Sequence, residues 1–212
     1  MDNRPRLLLP AAAGLLLLLA AVVFALLAGS SGKSNAGGSS QSTPSPTGFD
    51  GAALPPGVTA PAFALTDQNG HRLSLGSLRG RPVLLAFPYT RCRNSCVLVA
   101  QQIRGALDEL PSPPAVVLIS ADPAGDTPAR IGSFLTRVSL AGRASYLTGT
   151  APELRKVWRE YRVTPSSAGP AAYGKYATVL LIDANGKERV LYGPEQLTPE
   201  SLSHDIRKLQ GG

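Results

Sequence analysis

Two short apolar runs, PVLLAF (Pro82–Phe87) and AVVLIS (Ala115–Ser120), restrict the fold of this chain more than any other feature. Neither has the length of a buried helix or the alternation of a half-solvated strand. Both therefore read as strands covered on both faces. Between them Cys96, Val99, Ile103, Leu107 and Leu110 recur at helical spacing.

The flanking segments complete the order of elements. Pro61–Leu65 and Arg72–Leu75 alternate around the turn signal Asp67-Gln-Asn-Gly70 and predict a hairpin. Asp126-Thr-Pro128 starts a helix with Thr127 as its cap. Thr150-Ala-Pro-Glu153 is a capping box opening a helix through Tyr161. Thr178–Ile182, the Asn185-Gly186 turn and Arg189–Tyr192 predict a closing hairpin, and Thr198-Pro199 starts a last helix. Strand, helix, strand, helix, antiparallel pair, helix is an α/β sandwich around a mixed sheet. Ligands of such sheets sit beyond the carboxyl ends of the strands, where Cys92 follows Pro82–Phe87.

The N-terminal part belongs to no core. Leu7–Ala28 is 22 residues without a charge, about 33 Å as a helix, enough to cross a bilayer's hydrocarbon. Arg4 and Arg6 before it favour a cytoplasmic N-terminus. A cleaved signal peptide has a shorter apolar stretch, and a cut after Ala28 would leave Leu26 where a small residue is preferred. The reading is a retained anchor over residues 1–28, with the remainder on the far side of the membrane. Gly29–Gly48 is almost wholly Gly, Ser, Thr, Pro, Asn and Gln, too polar to repay ordering. We assign 29–57 as a Gly/Ser/Pro linker and 58–212 as the folded domain. From Asp50 onward 18 Lys/Arg stand against 13 Asp/Glu, a charge of +5. The arginines are scattered and aromatics few, which argues against nucleic acid and for an anionic lipid surface or an acidic protein partner.

Cys92 and Cys96 are the only cysteines of the 212 residues. At i and i+4 of one helix their Cα atoms would lie about 6 Å apart, within reach of a disulfide. A helix N-terminus and the flanking Arg91 and Arg93 favour thiolate at Cys92, making it the nucleophile or soft ligand. Cys96, followed by Val-Leu-Val, is the more buried partner. Three uses stay open: a structural bridge, which would close too small a loop to stabilise much, a redox pair, and a Cu(I) site. His71 and His204 lack a partner motif and read as ordinary exposed residues.

The stretch PAFALTDQNGHRLSLGSLRGRPVLLAFPYTRCRNSC resembles the opening of the Sco/SenC proteins, thioredoxin-like copper chaperones of cytochrome oxidase assembly. The likeness continues through Ile119–Leu135, Tyr146–Val163 and Val179–Glu188, covering nearly all of Ala60–Leu209 in order and spacing. It implies a thioredoxin-like (Sco/peroxiredoxin-like) mixed sheet flanked by helices behind the anchor. It also implies that Cys92 and Cys96 are the copper-binding and redox pair, with Asp122 at the position of the family's acid. The family's third copper ligand, a histidine, falls on Lys175. A protonated lysine has no lone pair to offer a metal and would stabilise a nearby thiolate instead. The prolines usual between such cysteines are replaced by Arg93, Asn94 and Ser95.

Two functions follow as expectations. One is a membrane-anchored, extracytoplasmic Sco-type protein that delivers Cu(I), or keeps copper-site cysteines reduced, for a cytochrome oxidase subunit. The other is a general thiol–disulfide oxidoreductase acting on another extracytoplasmic thiol protein without copper. Arg91, Arg93, Asp122 and Lys175 are the candidate modulators of the pair. Peroxide reduction would want Thr-x-x-Cys where this chain has Thr90-Arg91-Cys92.

Overall fold

The computed structural model describes residues 47–92, 94–165 and 178–211. The apolar run Leu7–Ala28, the linker up to Pro46, Arg93 and Lys175 lie outside them. Among the described residues no helix is long and apolar enough to cross a membrane.

Pro82–Phe87 and Ala115–Ser120 form the strands β4 (Val83–Ala86) and β5 (Ala115–Ile119), and every residue of both is buried. The two pair in parallel, Val83 opposite Ala115 and Ala86 opposite Leu118. β5 pairs in parallel with β6 (Ser145–Leu147). On the other side β4 runs antiparallel to β7 (Val179–Ile182), and β7 antiparallel to β8 (Glu188–Tyr192). With β1 (Ala52–Ala53) the sheet order is β1-β8-β7-β4-β5-β6. It is the mixed sheet that the order of elements predicts. The short hairpin β2 (Ala64–Thr66) and β3 (Arg72–Ser74) stands apart as its own pair.

Alternate residues of the central strands feed two cores. Leu84, Ala86, Val116, Leu118, Val179 and Leu181 face α1 (Ser95–Asp108), α2 (Pro128–Arg137) and α4 (Pro199–Gln210). Leu85, Val117, Ile119, Leu180 and Ile182 face the hairpin, a 3-10 turn at Leu75–Leu78 and α3 (Ala151–Glu160). Leu84 and Leu85 are both fully buried, and each contributes roughly 1.5–3 kcal/mol of apolar burial. This is the physical content of an apolar run without alternation: both pleat faces are inside.

The caps are where local sequence places them. Thr127, Thr150 and Thr198 each accept a backbone N–H three residues on, from Arg130, Glu153 and Ser201. The Glu153 side chain closes its capping box on the Thr150 N–H at 2.8 Å. Two helix ends use a left-handed residue other than glycine, Ser139 (φ 58°) after α2 and Arg162 (φ 56°) after α3. In each the next residue donates back across the turn, Leu140 to Leu135 O and Val163 to Trp158 O, the Schellman pattern.

The domain begins earlier than the linker assignment of 29–57 allows. Phe49 is buried, and Ala52 and Ala53 pair with Leu191 and Val190. The reason is Asp205 on α4, which is fully buried and accepts the N–H groups of Asp50 (2.9 Å) and Gly51 (3.1 Å) and the Tyr192 hydroxyl (2.5 Å). That carboxylate satisfies backbone that polar composition alone assigns to the tether. β6 is the other strand missed from sequence; its three residues are too few to display a period.

One side chain ties the strand ends together. Asp126, buried, accepts from the Thr90 N–H (2.7 Å), the Thr90 hydroxyl (2.7 Å), the Ser120 hydroxyl (2.6 Å) and the Tyr146 hydroxyl (2.8 Å). It joins the segments following β4 and β5 to β6. Asp126→Ala removes the acceptor of the Thr90 N–H and of the Thr90 and Ser120 hydroxyls, leaving the Tyr146 hydroxyl only the Pro88 carbonyl at 3.2 Å, and should cost about 3–5 kcal/mol in urea unfolding; a loss below about 1 kcal/mol would contradict the role given to this carboxylate. Ser139→Gly removes the left-handed strain at an exposed position and should stabilise by about 0.5–1 kcal/mol in the same assay. A neutral or destabilising result would mean the serine carries a contact that outweighs its backbone cost.

Candidate functional site

The site is built on the chain that leaves β4. Phe87-Pro88-Tyr89-Thr90 is held from both sides: the Pro88 carbonyl accepts from Ala121 N–H (2.9 Å) and the Tyr146 hydroxyl (3.2 Å), and Thr90 is bound by Asp126. A turn follows, closed by Cys92 N–H to the Tyr89 carbonyl at 3.1 Å. Cys92 thus sits at the carboxyl end of a central parallel strand, where topology predicts chemistry.

Cys92 is not itself helical, which corrects the picture of two thiols on one helix. Helix α1 begins at Ser95, and Asn94 in the capping position makes no side-chain cap bond. The Cys92 sulfur supplies that acceptor, receiving the Cys96 N–H at 3.1 Å with the Ser95 hydroxyl 3.5 Å away. A helix N-terminus leaves its first N–H groups without intrahelical partners and carries the positive end of the dipole. Once the sulfur is reduced, that arrangement favours negative charge on Cys92 rather than Cys96. The first turn of α1 holds no acidic residue to oppose it.

The two cysteines are joined as a disulfide with Cα atoms 5.7 Å apart, and both are buried, at 4% and 3% exposure. Cys96 packs in the core with Val99, Ala100 and Ile103. If reduced, the pair would offer two soft sulfurs side by side at the start of α1. Such a donor pair fits Cu(I) better than zinc, whose structural sites take four ligands.

The charged neighbours are placed differently from the simple expectation. Arg91 is 61% exposed, and its guanidinium is taken by Asp122: Nε and Nη2 approach the Oδ2 oxygen at 3.0 and 2.5 Å. That hydrogen bond, with the carboxylate's charge, raises the Arg91 pKa still further, so the side chain is cationic at all accessible pH. The other Asp122 oxygen accepts the Gly125 N–H at 3.1 Å, the turn chemistry common for aspartate. A Cβ at Gly125 would collide with the Asp122 Oδ2 and lie 2.7 Å from the Arg91 Nε, so the ion pair requires glycine beneath it. Burial first, and then the charge of Asp122, push the Tyr89 phenol above its ordinary pKa.

Of the expected modulators, Arg91 and Asp122 are brought to the cysteine turn as a pair, while Arg93 and Lys175 lie outside the described residues. His71 is exposed beside Asp67, and His204 contacts Asp205 and Asp50. Neither hydrogen-bonds the cysteines; among the described residues the groups bonded to the Cys92 sulfur, apart from the disulfide, are Ser95 and the Cys96 N–H. From sequence Asp126 reads only as the residue before the Thr127 cap; the structure makes it the buried support of the site. Tyr146 and Ser120 carry no local signal for their part in it.

Comparison with known proteins gives a consistent result. The SCO1/SenC family pattern matches residues 52–211. Protein sco1 of Schizosaccharomyces pombe is 28% identical over 156 residues, 68% of this chain and 58% of that protein. The chain spans about half the length of the curated relatives it matches. Among solved structures, Bradyrhizobium japonicum ScoI with copper bound superposes with a TM-score of 0.55 at 26% identity, over 72% of this chain and 99% of the other. Yeast Sco1 with copper bound superposes at 0.63 over 75% and 96%; at 21% identity this speaks to the fold alone. The fold is the thioredoxin-like mixed sheet with helices seen in Sco structures, and the chain belongs to the SCO1/SenC family.

Proposed function

We propose that this chain is a Sco-type copper-handling protein of cytochrome oxidase assembly, in which Cys92 and Cys96 take up Cu(I) as cargo. It passes the ion to the copper-receiving oxidase subunit or keeps that subunit's copper-site cysteines reduced. The carrying observation is the sulfur of Cys92 at the mouth of α1, 3.1 Å from the Cys96 N–H and bonded to the second sulfur. Family membership and the copper held by the Bradyrhizobium relative support the same reading. Leu7–Ala28 as a retained single-pass anchor would hold the domain on the extracytoplasmic side of the cell membrane, with Gly29–Pro46 as its tether.

A second reading, a thiol–disulfide oxidoreductase for another extracytoplasmic thiol protein, is favoured by the closed Cys92–Cys96 bridge. The two are compatible, because a dithiol that binds Cu(I) also exchanges disulfides. Lys175, standing where the family's histidine is expected, weights this chain towards thiolate chemistry and weaker copper retention.

Titration of the reduced protein against a Cu(I) competitor should give one ion per chain. Cys92→Ser should weaken it by about 100-fold or more, since losing a ligand costs more than losing a group that merely orients one. Equal affinity in wild type and Cys92→Ser would remove copper from this account. Lys175→His should strengthen Cu(II) binding and introduce a thiolate-to-copper charge-transfer band; an unchanged spectrum would place the third-ligand position elsewhere in the chain.

A further inference from the structure

Around the cysteines the surface of α1 has an uncommon composition. From Asn94 to Ile103 the sequence contains no charge. Asn94, Leu98 and Gln101 are exposed, with Ser95, Val97 and Gln102 half-buried beside them. Leu98 is 49% exposed, one of two large apolar residues left so open among the described residues. Charge depletion with an apolar centre is the mark of an interface core rather than of general surface. The helix of a domain that is otherwise rich in arginine is kept neutral next to its reactive pair.

The same helix face runs into a cleft of about 570 Å³ lined by Gln101, Gln102, Arg104, Gly105, Arg137 and Pro199 among others. Its lining holds two arginines and no acid. Arg104 is paired with Asp108, which Arg143 also binds. Arg137 is different: its guanidinium lies over the Phe134 ring at 5.6 Å, and among the described residues no carboxylate forms an ion pair with it. Beyond the buried cysteine pair α1 thus presents an apolar residue and two amides, and the cleft beside them adds the uncompensated positive charge of Arg137 on α2.

Resting on the redox reading of the pair given above, we infer that this face docks the cysteine-bearing segment of a partner protein, in extended form, with an apolar residue near its cysteine and acidic residues further on. From Cys96 to Arg104, which lines the same cleft as Arg137, the helix advances about 12 Å, which an extended strand covers in about four residues. The acids therefore lie about four positions from the partner's cysteine, with the apolar side chain between them over Leu98. The partner's thiolate attacks the Cys92 sulfur, a mixed disulfide forms, the Cys92–Cys96 bond breaks, and Cys96 leaves as the thiolate. The proton given up by the incoming thiol goes to solvent or to that leaving sulfur.

The test uses the full-length oxidised protein in neutral detergent at low salt and two synthetic peptides. Both carry a cysteine and a leucine two positions on; one has aspartates at the fourth and fifth positions on, the other lysines. Rates of mixed-disulfide formation are divided by those of the same peptides with hydroxyethyl disulfide, which removes differences in thiol reactivity. The opening that buried sulfurs require is common to both peptides and cancels from their ratio. The acidic peptide should react about tenfold faster or more, the advantage fading at high salt. Arg137→Glu should abolish or invert the preference, and Leu98→Ser should slow both peptides alike. Equal normalised rates for the two peptides, as a cleft serving lipid headgroups would give, overturn the inference, as does an Arg137→Glu protein that keeps the wild-type ratio. If the bridge resists even dithiothreitol in folded protein, the redox reading beneath it fails instead, and the two failures are told apart.

Discussion

Asp126 is the constraint on which the arrangement of the site depends. A buried carboxylate with four donors on it holds Thr90 to the loop after β5 and to Tyr146 on β6. Three chain segments that the sheet brings side by side are thereby fixed at their carboxyl ends. The cysteine turn hangs directly from Thr90, so its position is inherited from this network rather than from its own residues. A partly satisfied buried network would be worse than an apolar one, and among the described residues no buried side-chain nitrogen or oxygen lacks a partner.

The cysteine pair is placed by a division of labour between backbone and side chains. Backbone N–H groups at the start of α1 supply the field that favours a charged sulfur at Cys92, and Cys96 is packed into the apolar core. The nearby charges are arranged mainly with each other: Asp122 takes Arg91, and Gly125 leaves room for their contact. That ion pair is exposed on the arginine side, so water screens it and its contribution to stability is small. Its effect is to hold a cation and an anion together at the rim of the turn.

Much of the architecture is legible residue by residue. PVLLAF and AVVLIS specify central strands because two adjacent leucines cannot both be buried unless both pleat faces are covered. Thr127, Thr150 and Thr198 specify helix starts because a side-chain oxygen bonds a backbone N–H three residues away, a contact written within four letters of sequence. Cys92 and Cys96 announce themselves by spacing alone. The assigned linker runs to residue 57, yet a carboxylate 155 positions from Asp50 receives its N–H group and that of Gly51. No local pattern encodes that.

The order of strands and helices, their caps, the pair of sulfurs and their place after a buried strand are all written in the amino-acid sequence, since each rests on contacts between near neighbours or on plain hydrophobicity. Folding in three dimensions settled that Cys92 stands outside the helix and caps it, that Asp126 gathers Thr90, Ser120 and Tyr146, and that β1 and β6 complete the sheet. These depend on groups as far as 36 residues from Asp126 meeting in space. Such meetings are fixed by how the sheet closes and packs, and only the folded chain brings the partners within hydrogen-bonding distance.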